Sequence, residues 1–230
     1  MISCQNLEAA RVDCDYPGTR NTPALAKSSS CSGFTLIEIA FVLVIIGVLL
    51  GLGAELLPML VKQSKLKEDR LMVKEAKTAI IGYALATGRL PYASTTINGS
   101  ETTGILNGYL PWATLGIAGK DAYLTTLSYA VDSYLTSTTS VAQFKAHLGE
   151  LINGTHAPDL FCDSGNLRVA FVVISGGENM RSDAPNDDNG DGIITMMDNN
   201  QFASPSATPT ATYNDILETA SLTYLYGLFP

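Results

Sequence analysis

Apolar positions fall into three regimes along the chain. From Phe34 to Ala54 they are almost unbroken, and Glu38 is the only charged residue. As an α-helix this run is about 30 Å long, the thickness of a bilayer's hydrocarbon core. It predicts a membrane-spanning helix, because a soluble helix is seldom apolar on every side for so long. Beyond Pro58 the pattern becomes periodic. Leu66, Val73 and Ile80 recur at heptad spacing with Ala76 and Tyr83 between them, while Lys65, Lys67, Glu68, Asp69, Lys74, Glu75 and Lys77 take the other positions. That reads as an amphipathic helix with one stripe to bury, stopping at "ATGRLP" with Gly88 and Pro91. A coiled-coil seam would give a similar stripe, but few heptads are present. Unbroken, a helix over Phe34–Gly88 would extend about 80 Å. Gly51, Gly53 and Pro58 mark a weak segment at the junction, expected to bend or melt.

The third regime, from about Leu90 to Pro230, mixes short apolar runs with turn residues. "TLSYAVDSYL" (Thr126–Leu135) alternates like a strand, and "NLRVAFVVIS" (Asn166–Ser175) has the continuous apolar stretch of a buried sheet centre. "NDILETASLTYLYGLF" (Asn214–Phe229) predicts a late strand or strand pair, and "SVAQFKAHLGELI" (Ser140–Ile152) a short helix. "ASPSATPTAT" (Ala203–Thr212) is a loop by composition. Strands that follow a helix without regular alternation predict an α+β fold: a long N-terminal α-helix, half membrane and half amphipathic, packed on an antiparallel β-sheet head.

The net charge is −8 over 230 residues, with no basic run of the kind that tracks nucleic acid, so no nucleic-acid partner is expected. Cys4, Cys14 and Cys31 precede the apolar run and Cys162 lies far beyond it; no C-x-x-C pair is present. If the first 33 residues are removed, Cys162 stands alone and is expected to be a small buried apolar residue. A cleaved secretory signal is an alternative for the apolar run, but Leu52 stands where its cleavage site wants a small residue. Lys62, Lys65, Lys67 and Arg70 follow the run and only Arg20 and Lys27 precede it closely, which by the positive-inside rule favours a cytoplasmic C-terminal side.

An ionised acid at mid-membrane costs about 2.5–3.5 kcal/mol on insertion scales, so Glu38 calls for a partner. A cut between Gly33 and Phe34 would create an ammonium one helical turn away. "GFTLIE" (Gly33–Glu38), followed by the apolar helix, resembles the prepilin cleavage motif of type IV pilins and type II secretion pseudopilins. The resemblance implies cleavage after Gly33 by a prepilin peptidase and N-methylation of Phe34. It also implies that Glu38 meets the Phe34 amine of a neighbouring subunit during assembly. The alternative is a Glu that merely favours the positive end of a helix dipole, worth under about 1 kcal/mol. "GRLPY" from Gly88, "GYLPWATLGIAGKDAYLTTLSYAVD" (Gly108–Asp132) and "VAFVVISGGEN" (Val169–Asn179) resemble blocks of minor-pilin-like proteins. In that group Trp112, Leu115 and Gly116 belong to the head's structure. The implied organisation is a leader over 1–33, a transmembrane half-helix over 34–58, an amphipathic half over 59–89 and a head over 90–230.

"DDNGDGIITMMD" (Asp187–Asp198) resembles the twelve-residue calcium loop of EF-hands and dockerins. Asp187, Asn189 and Asp191 take positions one, three and five, and Gly192 the sharp turn. Ile193 offers its backbone carbonyl at seven, Thr195 stands at nine and Asp198 at twelve. Alternating oxygens of this kind converge on a hard cation, so one Ca²⁺ is expected; the alternative is a solvated turn. No G-x-S-x-G, P-loop or H-E-x-x-H is present, and His147 and His156 have no metal spacing, so no enzyme is expected.

These readings predict a structural subunit, minor rather than bulk, of a type IV pilus or a type II secretion pseudopilus. Its expected partners are the prepilin peptidase, other pilin or pseudopilin subunits and the bacterial inner membrane. It would begin as a single-pass precursor and end in a periplasmic or surface filament. The competing reading is a membrane-anchored, calcium-dependent adhesion protein that never polymerises.

Overall fold

The computed structural model describes residues 34–187, 201–210 and 212–230. The chain divides into two compact units, Met1–Leu50 and Gly51–Pro230. Helix α1 (Leu36–Thr87) is the first element, and in the first unit its described residues are exposed on every side. Gly51, Gly53 and Pro58 do not interrupt the helix, so the expected melting is absent.

In the second unit α1 buries one stripe against the head. Val73, Ala76, Ile80 and Ala84 are buried at the three- and four-residue spacing of one helix face. Full burial of side chains such as Val73 and Ile80 contributes about 1.5–3 kcal/mol each. Ala84, not Tyr83, completes the stripe; Tyr83 turns its ring toward Arg89 instead. Asp69, expected on the solvent side, is fully buried, because it lies four residues before Val73 on the same face. The helix stops at Gly88, whose φ of +75° reverses the chain while its N–H reaches the Ala84 carbonyl at 2.8 Å.

The head is a mixed sheet centred on β4 (Leu167–Ser175). Along one stretch β4 pairs antiparallel with β2 (Ser128–Val131), which pairs in turn with β1 (Asn107–Tyr109). It also pairs antiparallel with β6 (Ile216–Ser221), with a register shift between Val169 and Phe171. The first residues of β4 pair with β3 (Phe161–Cys162), and β3 pairs parallel with β5 (Gln201–Phe202). The head is therefore antiparallel except at the β3–β5 pair. Both faces of β4 are covered, as its continuous apolar run requires. Phe171 and Val173 join the core shared with α1, while Val172 and Ile174 join Leu160, Cys162, Phe202 and Leu217 on the other side.

Short helices close the ends. The one-turn α2 (Trp112–Leu115) sets Trp112 against Gly99 and Gly119, where any side chain would strike the indole. Its indole N–H donates to the Ile97 carbonyl at 3.1 Å, so Trp112 is a packing residue as expected. Helix α3 (Val141–Asn153) starts at Ser140, whose hydroxyl accepts the Gln143 N–H, and buries Phe144, Leu148 and Leu151. The expected strand at the C-terminus is β6 only as far as Ser221. Ser221 then caps α4 (Leu222–Leu228), which buries Leu222 and Leu225. Phe229 packs against Phe144 of α3, the rings tilted by 44° with centroids 4.6 Å apart. The alternation read over Thr126–Leu135 likewise ends at Val131, and Ser133–Leu135 forms a 3₁₀ turn capped by Asp132.

Candidate functional site

The N-terminal site is built at the start of α1. Phe34 and Thr35 precede the first helical residue, and Phe34 is 77% exposed. The Glu38 N–H donates to the Thr35 carbonyl at 3.0 Å and approaches the Thr35 hydroxyl at 3.4 Å. Thr35 thus stands at the N-cap and Glu38 at the third helical position, the spacing of a capping box. The T-x-x-E signature was present in the sequence, and the group of Glu38 that bonds Thr35 is its backbone N–H. Through Leu50, α1 leaves Leu36, Ile37, Phe41, Leu43, Val44, Leu49 and their neighbours exposed. A contiguous apolar surface of this extent requires lipid or other helices around it. Gly33 lies outside the described residues.

Of the expected calcium ligands, Asp187 is described and buried; Asn189, Asp191, Ile193, Thr195 and Asp198 lie outside the described residues. The segment leading into Asp187 is locked by a polar cage. Asp215 Oδ2 accepts the Asp183 N–H at 2.8 Å and the Asn186 side-chain amide at 2.7 Å. Asp183 in return accepts the Asn214 N–H at 2.8 Å and the Asn179 amide at 2.7 Å, and Asn186 Oδ1 accepts the Ala203 N–H at 2.8 Å. Three chain segments around 183–187, 203 and 213–215 are therefore tied together. Among the described residues, Asp215 Oδ1 and Asn214 Oδ1 are buried without a hydrogen-bond partner. Burial, offset by the Asn186 and Asp183 hydrogen bonds and reinforced by the charges of Asp183 and Asp187, pushes the Asp215 carboxyl up to about 7. Orphaned buried oxygens next to acids suit a hard, oxygen-preferring cation in chemistry. Among the described residues, no three His, Cys, Asp or Glu side chains group closely enough to hold a metal.

A second buried acidic pair was not anticipated. Asp69 of α1 and Asp121 both approach the Ser175 hydroxyl, at 2.7 and 3.0 Å, and Asp69 Oδ1 has no hydrogen-bond partner among the described residues. Burial pushes the Asp69 carboxyl up to about 6, against the lowering effect of the Ser175 hydrogen bond. The heptad register that places Asp69 on the buried stripe was the available signal. The two histidines sandwich Tyr134, with ring centroids 3.8 Å away for His147 and 3.9 Å for His156. His147 Nδ1 lies 2.9 Å from the Tyr134 carbonyl, which can only accept, so Nδ1 carries the proton. The Tyr134 hydroxyl donates to Glu150. Both histidines are thereby used in packing. Cys162 is buried, and burial first, then Asp163, pushes its thiol up to about 12, the state of an unreactive cysteine.

With Phe34, Thr35 and Glu38 at the head of an exposed apolar helix, the comparison with known families is decisive for this end of the chain. Residues 28–54 match the family model of the prokaryotic N-terminal methylation motif. This is the prepilin motif of type IV pilins and pseudopilins. The methylation motif covers Gly33, Phe34 and Glu38 and ends before the head begins. Neither a curated protein nor a solved structure matches the chain. The methylation motif and the one helix among the described residues that is long and apolar enough to cross a membrane fit a membrane-anchored precursor.

Proposed function

We propose that the protein is a structural, non-enzymatic subunit of a type IV pilus or type II secretion pseudopilus, and a minor one. It is inserted in the inner membrane, cleaved after Gly33 by a prepilin peptidase, methylated at Phe34 and assembled through α1. The observation that carries this reading is Glu38 within a methylation motif, on a helix whose apolar surface is uncovered through Leu50. In a low-dielectric bundle an unpaired acid is costly and a paired one tolerable, so Glu38 and a neighbouring Phe34 ammonium would set axial register between otherwise featureless helices. The lysines beyond the span oppose this orientation by simple count. Two of them are engaged by the head, however: Lys62 pairs with Glu178, and Lys65 sits over the Tyr123 ring. The irregular head, with its long acidic loop, supports a minor rather than bulk subunit.

The same reading gives the head one calcium ion, bound by Asp187, Asn189, Asp191, the Ile193 carbonyl, Thr195 and Asp198. Support comes from the polar cage that fixes Asp187 and from the unpartnered oxygens of Asn214 and Asp215. A bound ion would supply positive charge among acids and order the loop; it has no chemical step to perform. The alternative, a permanently anchored adhesion protein, needs neither cleavage nor Glu38.

Mass spectrometry of the protein isolated from cells tests the proposal. The expected mature N-terminus is a methylated Phe34. A chain that still carries residues 1–33 would overturn the reading.

A further inference from the structure

We propose that the open edge of β6, in a groove between α1 and the loop over 205–209, is a docking slot for an extended segment of a partner protein that carries carboxylates at alternate positions. β6 pairs with β4 alone, so its other edge has no strand beside it. Among the described residues, no backbone–backbone hydrogen bond outside the β4 ladder reaches residues 216–220. Alternate N–H and C=O groups along that edge are therefore left without a backbone partner, which is the template on which a further strand pairs.

A groove of about 600 Å³ lies against this edge. Asp215, Ile216, Leu217 and Glu218 all line it, although consecutive residues of a strand point to opposite faces. Ile216 belongs to the core shared with α1, and Leu217 to the core on the other side of the sheet. A cavity reaches side chains of both faces only along an edge, and the other edge of β6 is taken by β4. Residues 205–209 form another wall. Their loop closes on itself through the Ala207 N–H, which donates to the Ser204 carbonyl at 2.8 Å. Pro205 and Pro209 have no N–H to offer, so the loop flanks the edge without pairing to it.

Charge selects the occupant. Lys67, Arg70 and Lys74 of α1 line the same groove and are exposed. Among the described residues, none of the three forms an ion pair. The two acids on the groove are engaged elsewhere: Glu218 pairs with Lys77 at 2.8 Å, and Asp215 Oδ2 accepts the Asp183 N–H and the Asn186 amide. Glu68 and Glu75 are exposed beside these cations on α1 but do not line the groove. The cations recur about every 4.5–6 Å along the helix, and side chains on one face of an extended strand recur about every 6.6 Å. Carboxylates at alternate positions of a paired strand therefore fall within reach of them. A second copy of this chain, docked edge to edge about a two-fold axis, would set the three cations against their own counterparts, so the charges favour a different protein.

The test follows fluorescence anisotropy of short, end-blocked, labelled peptides with alternating Asp-Val, Thr-Val or Lys-Val sequence, added to the full chain in neutral detergent. The Asp-Val peptide is expected to bind at least about tenfold more tightly than the Thr-Val peptide, and the Lys-Val peptide not to bind. Replacing Lys67, Arg70 and Lys74 together by Gln should weaken the Asp-Val peptide by a similar factor while leaving the thermal melt unchanged, since all three are exposed. N-methylation of one amide set of that peptide, Asp or Val, should abolish binding and of the other set should leave it, because only one set faces β6. No binding of the Asp-Val peptide up to about 1 mM overturns the proposal. Binding that tolerates methylation of either set reduces the site to a patch of positive charge and overturns the strand pairing. Self-association of the chain that the peptide displaces makes a second copy the occupant and overturns the separate partner. All the residues involved lie in the second unit, so none of these outcomes depends on cleavage after Gly33.

Discussion

The Asp69 carboxyl, on α1, lies 2.7 Å from the hydroxyl of Ser175, the last residue of β4, and both side chains are fully buried. Ser175 has one hydroxyl proton and two carboxylates to serve, since Asp121 Oδ2 stands 3.0 Å away, and its oxygen already accepts the Gly177 N–H at 3.1 Å. A neutral Asp69 resolves the count: it donates to Ser175, which donates to Asp121. The native carboxyl is accordingly held up at about 6, above its ordinary value, mainly by burial. A group whose native pKa is raised binds its proton more tightly folded than unfolded. Its favourable contribution is complete below the unfolded pKa and is lost as pH rises through about 6. Asp69→Asn keeps the shape, cannot ionise, and supplies a donor for Ser175. Relative to wild type it is expected to stabilise the chain above pH ~6 by the order of 1–3 kcal/mol, and to lose that advantage below pH ~4. Thermal melts of both proteins in detergent at pH 4 and pH 8 check this; an equal difference at the two pH values would exclude a protonated Asp69.

The proposed assembly role of Glu38 and a capping role at the third helical position are separated by substitutions. Gln retains the hydrogen-bonding needed at the third position of a capping box but lacks the charge that would meet a Phe34 ammonium. Glu38→Gln is expected to insert and be cleaved normally, yet be absent from sheared filaments on immunoblot. If only the cap matters, Glu38→Gln assembles like wild type, and Glu38→Ala alone shows a loss of about 1 kcal/mol in helix stability. Assembly by Glu38→Gln would remove the charge pair from the account, whereas wild-type protein that never enters sheared filaments would favour the anchored adhesion protein.

Periodicity exposed most of this fold, and it failed where the signal was shared between structures. The buried centre of β4 was legible because an apolar run bounded by turns has few other solutions. Ser140 before "VAQF" announced α3 through its cap. The C-terminal run misled because Leu222 and Leu225 suit a strand face and a short helix equally, and only Ser221, as a cap, separates them. Asp69 was misplaced because its charge outweighed its register: heptad positions 66, 73 and 80 already implied that 69 shares their face. The N-terminal motif was legible in "GFTLIE". The cage of Asp183, Asn186, Asn214 and Asp215 was not, because its members lie about 30 positions apart and only the fold unites them. Nothing in local sequence marked the buried Asp121 either, whose Oδ1 accepts the Tyr123 N–H at 2.9 Å and the Thr125 N–H at 2.8 Å.

Calcium is expected to act as a staple for the head. An ion at a hundredfold excess over its Kd adds about 2.7 kcal/mol to stability, or roughly 5–10 °C in a domain of this size. Chelation should lower the melting temperature of the full chain by that amount at neutral pH, and added calcium should restore it. Asp187→Asn and Asp191→Asn should each remove most of the response. Asp215→Asn tests the cage: it keeps the shape and removes a carboxylate whose Oδ1 lacks a partner. A melt unchanged by chelator in wild type would remove the ion from the account.

Gly88 joins α1 to the head on two independent steric grounds. Its φ of +75° is strained for any residue with a Cβ, and a Cβ built there would lie 2.5 Å from the Ser140 carbonyl carbon and 2.6 Å from the Val141 nitrogen. Both are backbone atoms at the start of α3, so no side chain can swing aside to relieve the overlap. The Gly88 carbonyl also accepts the Thr138 hydroxyl at 2.5 Å, which fixes the same junction. Gly88→Ala must therefore either displace the α3 N-terminus or unwind the end of α1, and strain of this kind costs about 1–3 kcal/mol before any repacking. A loss of at least that size is expected in thermal melts. By contrast, Gly82→Ala meets nothing within 4 Å inside the same helix and should stabilise by about 0.5–1 kcal/mol. Opposite signs for the two substitutions would show that the α1–α3 junction, not helix propensity, governs how the head is held on its helix.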